Sequence, residues 1–376
     1  MTNRAARRVV SSVVLLVAVS IFASIMFNEK ASASWAGAKV EQDNAQAGEQ
    51  TMEQKFKNIQ VLKGLPAAQL RPMMNYISAS LGVTCAACHV KTGDEWEFDK
   101  DDKKNKQTAR KMIQMTMDLN KNQFEGKTEI TCYTCHQGLG HPASVPPLPR
   151  AMQREQARST QAFPTPQQIL AQYTQAIGGK EAVEKAKTRL LKGVSVAANG
   201  QSFPLEIQFE SADKVALNVE LGQTPTTQKL NGSAGWLKSS RDDRAMDSVE
   251  ILKIKSLAWS LEPLQLKEPY PRLTFGGWEK VGDRDCNILR MALPDKRRVR
   301  FYFDKETGLL LRRVIQTDTP IGTDPEQIDY EDYRDVDGVK VAFTIKSSYL
   351  DTNYSSLRKF TEIKHGVKIE SSIFNK

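Results

Sequence analysis

PAAQLRPMMNYISASLGVTCAACH (residues 66–89) and QTARKMIQMTMDLNKNQFEGKTEITCYTCH (residues 107–136) are two copies of one pattern. In each, a run bearing methionines leads through a turn into Cys-x-x-Cys-His. In the first copy Leu70, Met73, Met74 and Ile77 recur at helical spacing over Gln69–Ser80, and Gly82 ends the run. In the second, Met112, Met115 and Leu119 share one face of a helix over Ala109–Asn120. The stretch between them, KTGDEWEFDKDDKKNK (residues 91–106), reads as a solvated charged loop.

Cys-x-x-Cys-His has a specific chemistry. Two thiols at this spacing add across the two vinyl groups on one edge of a porphyrin, and the next histidine lies beneath the iron. Cys85 and Cys88 with His89, and Cys132 and Cys135 with His136, therefore predict two covalently attached haems c. A zinc site is the competing reading, but its cysteine pairs stand closer together than these and need no abutting histidine. A thioredoxin-like redox pair would need a βαβ pattern around it, and none is visible. The remaining axial position separates function classes. An open iron suits a peroxidase-like enzyme, whereas a methionine thioether closes the site and suits electron transfer. Met73 and Met74 precede the first motif and Met112, Met115 and Met117 the second. Methionines on a helix face also serve as plain core packing.

The stretches FKNIQVLKGLPAAQLRPMMNYISASLGVTCAACHV and ARKMIQMTMDLNKNQFEGKTEITCYTCHQG resemble the cytochrome c subunit of photosynthetic reaction centres. The resemblance covers about residues 55–147. It rests on a helix Met ahead of LGV-x-C-x-x-C-H, and on R-x-M-x-x-M-x-x-x-x-N ahead of T-C-Y-T-C-H-x-G. It implies Met74 as axial ligand of the first haem and Met112 of the second, with Met73 and Met115 packing against the rings. It also implies an electron carrier rather than an enzyme. The expected partner is a membrane redox complex or a soluble electron carrier, as when a photo-oxidised or other membrane donor is re-reduced in photosynthesis. Well-known members carry four haems and many a lipid-attachment cysteine. This chain has two motifs and no such cysteine, so it looks closest to shorter two-haem relatives.

The N-terminus carries Arg4, Arg7 and Arg8, then an uncharged run over residues 9–27, then Ala31-Ser32-Ala33. That order predicts a secretory signal or an uncleaved membrane anchor over residues 1–33. Either places the remainder on the periplasmic side, with membrane association through this segment. Residues 34–50 read as a flexible leader. The net charge of +9 is spread along the chain without a basic patch, which speaks against nucleic acid.

Residues 51–141 read as helices and loops, the dihaem cytochrome domain. A Pro-rich linker follows over 142–166. Residues 167–376 open with a helix, Gln167–Ile177, capped by Thr165-Pro166 and stopped at Gly178-Gly179. Strand-like runs follow at 203–211, 214–221, 298–304, 308–316 and 341–350, with turn signals at Asp304–Gly308 and Asp335–Gly338. Arg298, Arg300 and Tyr302 alternate with Val299, Phe301 and Phe303, predicting an antiparallel sheet with one wet face.

The expected fold class is multidomain: a mostly α-helical dihaem cytochrome c domain, then an α+β domain with a curved antiparallel sheet. The opening helix, the strands and EDYRDVDGVKVAF make the second domain resemble the lipoprotein-carrier-like fold, which implies an apolar concave face for a partner or lipid. A lipid-binding module with accessory haems is thus a third function class.

His141 reads as an exposed loop residue, His365 as an exposed hairpin residue, and Cys286 as a buried strand residue. Tyr76, Trp96, Phe124 and Tyr133 are candidates to pack on haem. No Ser-His-Asp set, phosphate loop or catalytic carboxylate pair is readable.

Overall fold

A computed structural model describes residues 50–93, 95–142, 163–221, 225–240, 242–260, 273–293, 297–352 and 355–376. The expected signal or anchor, nearly all of the leader and most of the linker lie outside the described residues. Among the described residues no helix is long and apolar enough to cross a membrane.

Residues 50–142 are helical with one small hairpin. Helix α1 is Met52–Lys55. Helix α2 is Leu70–Leu81 and buries Met73, Tyr76, Ile77 and Ser80, the stripe that its sequence spacing predicts. It ends in a left-handed Gly82 at φ +64°. The Val83 N–H returns to the Ser78 carbonyl and the Gly82 N–H to Ala79, a Schellman closure that satisfies the last carbonyls. Strands β1 (Val90–Thr92) and β2 (Glu95–Glu97) pair antiparallel. Helix α3 is Lys104–Gln123, and α4 is Cys132–His136.

The charged stretch at 91–106 is largely exposed, as expected, but it is not a plain loop. It holds the β1–β2 hairpin, and the Asp101 carboxylate gathers Lys106 and Arg110, each at 2.9 Å. The Arg110 side chain, then Lys106 and Asn58, hold the Asp101 carboxyl well below the usual carboxylate range. Lys106 is buried because its ammonium also donates to the Phe98 and Lys100 carbonyls at 2.9 and 2.6 Å.

Helices α5 (Pro166–Ala176) and α6 (Gly179–Lys185) open the second part. The Thr165 hydroxyl accepts from Gln168 N at 3.2 Å and the Gln168 side chain accepts from Thr165 N at 2.8 Å. This is the reciprocal cap that Thr165-Pro166 predicts. The strands are β3 (Arg189–Ala197), β4 (Ser202–Ser211), β5 (Lys214–Val219), β6 (Thr226–Asn231), β7 (Ala234–Lys238) and β8 (Asp243–Ala245). After helix α7 (Ser248–Ser256) come β9 (Thr274–Val281), β10 (Arg284–Ala292), β11 (Arg298–Asp304) and β12 (Leu310–Thr319). The last are β13 (Gly322–Val336), β14 (Val339–Tyr349) and β15 (Ser356–His365).

They form one sheet in the order β8-β7-β6-β5-β4-β3-β15-β14-β13-β12-β11-β10-β9, every pairing antiparallel. The last strand thus closes on the first of the sheet in its middle. Asp337 and Gly338, at φ +54° and +82°, make the two-residue turn between β13 and β14.

A single core draws on both arms of the sheet, Leu205, Leu230 and Leu237 on one side and Leu289, Phe301 and Phe303 on the other. Ile169 and Tyr173 of α5 and Leu252 of α7 join them, so the twisted sheet wraps around helices. Two buried arginines tie those helices down. The Arg189 guanidinium donates to Ala186 O at 2.9 Å beyond α6 and lies over the Phe209 ring; Arg313 donates to the Ser256 carbonyl and to its hydroxyl at the end of α7.

The enclosed space beside them, lined by residues including Arg189, Arg313, Tyr330 and Phe360, is about 40 Å3. A space of that size takes waters rather than an acyl chain.

Two expectations need correction. His365 is buried, not exposed. It is the last residue of β15, opposite Arg189 of β3 in the middle of the sheet, and burial lowers its pKa. The outer sheet face is not wholly wet either: Tyr302 is buried there with Cys286 and Ile288. Cys286 is fully buried, as its strand position predicts.

The β12–β13 turn reaches into the smaller core. Ile321 is fully buried among Met52, Leu62, Met73, Tyr76, Ile77 and Ile113. At Gly322 a Cβ would fall 2.1 Å from the Tyr76 ring, so only glycine lets α2 seat there. Tyr76 is thereby a packing residue between helix and sheet.

Two residues on, burial raises the Asp324 carboxyl to about 7, with Lys253 opposing and Glu326 adding to the rise. A raised carboxylate means that the folded state holds the proton more tightly, so stability falls as pH rises from about 4 to about 7. Asp324→Asn removes that loss. In urea titrations the variant gains on the order of 2–4 kcal/mol over the parent at pH 8 and nothing at pH 4. Equal stability of the two proteins at pH 8 contradicts this reading.

Candidate functional site

The two Cys-x-x-Cys-His motifs are held differently. In the first, Cys85–Ala87 is a 3-10 turn, closed by His89 N donating to Cys85 O at 2.9 Å. Lys103, just before α3, donates its ammonium to the Ala86 carbonyl, and Asn105 donates to Ala87 O at 3.2 Å. The start of α3 therefore grips the turn that carries the two cysteines. Phe98, after β2, stands edge-on to the His89 imidazole with centroids 5.1 Å apart, and Trp96 stacks on Phe98. The His89 Nδ1 is buried with no hydrogen-bond partner. Burial, then the Lys106 charge, lowers the His89 pKa, so the imidazole is neutral, as ligation requires.

In the second motif α4 is the Cys132–His136 segment itself. The Thr131 hydroxyl accepts from Thr134 N at 3.2 Å, and the Thr134 hydroxyl accepts from Thr131 N at 3.1 Å. Left-handed Gln137 and Gly138 turn the chain back, and the His136 Nδ1–H donates to Leu139 O at 2.9 Å. That bond fixes the tautomer and leaves Nε2 bare for a metal.

The units touch through backbone. Gly138 N donates to Ser80 O at 2.8 Å, and a Cβ on Gly82 would fall 2.1 Å from Gly138 O. The end of the first methionine helix is thus packed on the turn after the second motif.

The methionines divide sharply. Met73 is wholly buried, and Met74 is half-buried against the same small core. Helix α3 inverts the usual pattern. It buries Ile113, Thr116 and Asn120 and leaves Met112, Met115 and Leu119 exposed at 40%, 51% and 38%. Tyr133 and Leu139 beside the second motif are exposed too. Met112 and Met115 are not packing residues of the protein core. Met112, Met115 and Leu119 thus form an apolar stripe on the solvent side of α3, among exposed polar residues such as Lys111, Gln114 and Asp118.

Arg110 and Asn120 are letters of the second motif pattern whose roles appear only in the fold. Arg110 anchors Asp101 and donates to Asn58 O at 3.2 Å. Asn120 staples the approach to the second motif: its amide donates to Ile130 O at 2.7 Å, and its carbonyl accepts from Ile130 N at 2.9 Å. Lys103, Asn105 and Phe98 carried no signal, because their partners are backbone atoms or lie across a hairpin. His141 is exposed, as its loop position predicts, and Phe124 closes α3.

The donor set fits a haem c. All four motif cysteines are unpaired thiols. Burial raises the Cys88 thiol and pushes Cys132 up to about 11, the reverse of an activated redox pair. Among the described residues no three His, Cys, Asp or Glu side chains converge on one point, so the two pairs do not combine into a zinc centre. Paired thiols, a following neutral imidazole and an apolar, methionine-bearing wall are together the donor set of a c-type cytochrome.

Residues 24–178 match the family described as the photosynthetic reaction centre cytochrome C subunit, so the resemblance carried by the two motif units is shown. The chain is 31% identical over 133 residues to cytochrome c-554 of Chloroflexus aurantiacus, covering 31% of each chain. It is 29% identical over 107 residues to the reaction center cytochrome c subunit of Roseobacter denitrificans, covering 27% of this chain and 29% of that protein. The chain thus spans less than a third of the length of these relatives. Among solved structures, a LolA superfamily protein from Nitrosomonas europaea aligns at a TM-score of 0.41 and 11% identity, over 57% of this chain and 99% of that one.

The contact at Gly82 is testable. Gly82→Ala adds a backbone clash to the strain of a positive φ, whereas Gly64→Ala, at φ +79° with open space around it, adds the strain alone. The expected losses are about 1 kcal/mol for Gly64→Ala and at least about 2–3 kcal/mol for Gly82→Ala in denaturant unfolding. Equal losses would show that the approach to Gly138 does not constrain the fold.

Proposed function

We propose that this chain is an exported electron-carrying cytochrome with two covalently attached haems c. The observation that carries this reading is the repeated unit: a methionine helix and a Cys-x-x-Cys-His turn, with an apolar face left exposed on α3 next to the second. Cys85 and Cys88, and Cys132 and Cys135, would hold the two porphyrins by thioether bonds. His89 and Met74 would ligate the first iron, and His136 and Met112 the second. Each haem supplies a one-electron couple.

What the chain itself does is position and enclose. The α3 start grips the first turn, the Leu139 carbonyl orients His136, and Phe98 walls off His89. With Met74 and Met112 as ligands neither iron would keep an open position, which would suit a carrier rather than a peroxidase-like enzyme.

Similarity to reaction-centre cytochrome subunits supports a membrane redox complex, photosynthetic or otherwise, or a soluble carrier as partner. It also supports a site of action on the periplasmic side of the membrane.

A pyridine haemochrome assay on the purified holoprotein should return two haems c per chain. Met74→Ala and Met112→Ala should each turn one of the two haems high-spin and open it to carbon monoxide, while the parent binds none. One haem per chain, or carbon monoxide binding by the parent, overturns the reading.

A further inference from the structure

Arg358 of β15 stands in register with Ile345 of β14, and Ile345 with Tyr330 of β13. Arg313 of β12 stands opposite Ile328, two residues from Tyr330 and on the same face of the sheet. Arg313, Tyr330 and Arg358 all line the internal space of about 40 Å3. The two guanidinium charges act on one another, and both act on Tyr330 and Tyr349. Two cations from β12 and β15 therefore meet on the inner face.

They are held unequally. Arg313 donates to the Ser256 carbonyl and to its hydroxyl. Arg358 makes no hydrogen bond and no ion pair among the described residues. The Tyr330 hydroxyl makes no hydrogen bond among them either. The carboxylate that acts on Arg358 is Glu326, and it is already taken. It accepts from the Tyr349 hydroxyl at 2.8 Å and stands 3.9 Å from the Lys253 ammonium. No Asp or Glu is among the described residues that line the space.

Burial lowers the Arg358 pKa, opposed by Tyr349 and Glu326, yet a guanidinium stays protonated at neutral pH. A charge drawn out of water with its donors unused is costly until an anion meets it. The guanidinium fork matches two oxygens of a carboxylate or phosphate. The space has room for roughly three waters, which is the footprint of one small oxyanion. Its other walls, Ile328, Ile345 and Phe360 among them, are apolar and offer an anion nothing. Arg358 keeps partial exposure, so an ion can reach it from solvent.

We propose that the sheet domain binds one small oxyanion, of the size of phosphate or a short carboxylate, between Arg358 and Arg313 beside the Tyr330 hydroxyl. The site uses no residue of the two Cys-x-x-Cys-His turns, so it goes beyond the dihaem reading and is tested apart from it.

The test is urea unfolding of the full-length holoprotein at neutral pH in sodium phosphate, sodium acetate and sodium chloride of matched ionic strength. An ion that binds the folded state raises the midpoint with the logarithm of its concentration. The parent should show that rise in phosphate or in acetate over chloride, and the responding arm separates a tetrahedral ion from a carboxylate. Arg358→Met should unfold at one midpoint in all three salts. Arg358→Lys keeps the charge and loses the fork, and should need at least tenfold more anion for the same rise. Lys359→Met, on the other face of β15, should respond as the parent does. Equilibrium dialysis of the parent against the responding ion, radiolabelled, should return one ion per chain. Equal midpoints for the parent in all three salts, no ion bound in dialysis, or an undiminished response in Arg358→Met overturns the inference. None of these results touches the haem count.

Discussion

The backbone contact between Ser80–Gly82 and Gly138 sets the geometry of everything around the two motifs. One hydrogen bond and one carbonyl lying where a side chain would begin bring the end of α2 onto the turn after His136. The helix of the first unit is thereby packed, at its C-terminal end, on the turn that follows the second motif. Both motifs are thus referred to one element, α2 and its closing turn.

Helix α3 does the complementary work. Its two ends hold the two units, Lys103 and Asn105 on the first turn and Asn120 on the approach to the second. Its middle shows methionines outward. Anchorage of both units and an exposed methionine stripe are therefore built into the same twenty residues. The Asp101 knot with Lys106 and Arg110 keeps this highly charged stretch ordered: three groups that would each be costly to bury alone satisfy one another and nearby carbonyls.

The β-rich part is more than a passenger. Its β12–β13 turn drives Ile321 into the small core beneath α2, and Gly322 receives the Tyr76 ring. The helix that bears Met73 and Met74 is thus packed on the sheet. Within the sheet, buried Arg189 and Arg313 close the ends of two helices, and the space beside them is too small for a lipid chain.

The sequence alone determined what local rules can reach. The motif spacing named the thiols and imidazoles, Gly82 ended α2, Thr165-Pro166 capped α5, and Asp337-Gly338 turned β13 into β14, because each depends on atoms a few residues apart. Tertiary structure decided the rest. His365 looked like a hairpin tip and is buried because β15 pairs with β3, far away in the chain. The charged stretch looked like a plain loop; it is exposed as expected, but ordered, with Arg110 and Lys106 reaching back to Asp101. The bond from His136 to Leu139 O depends on where a single carbonyl points. No spacing rule encodes that, because a carbonyl's direction is set by the packing of the whole turn.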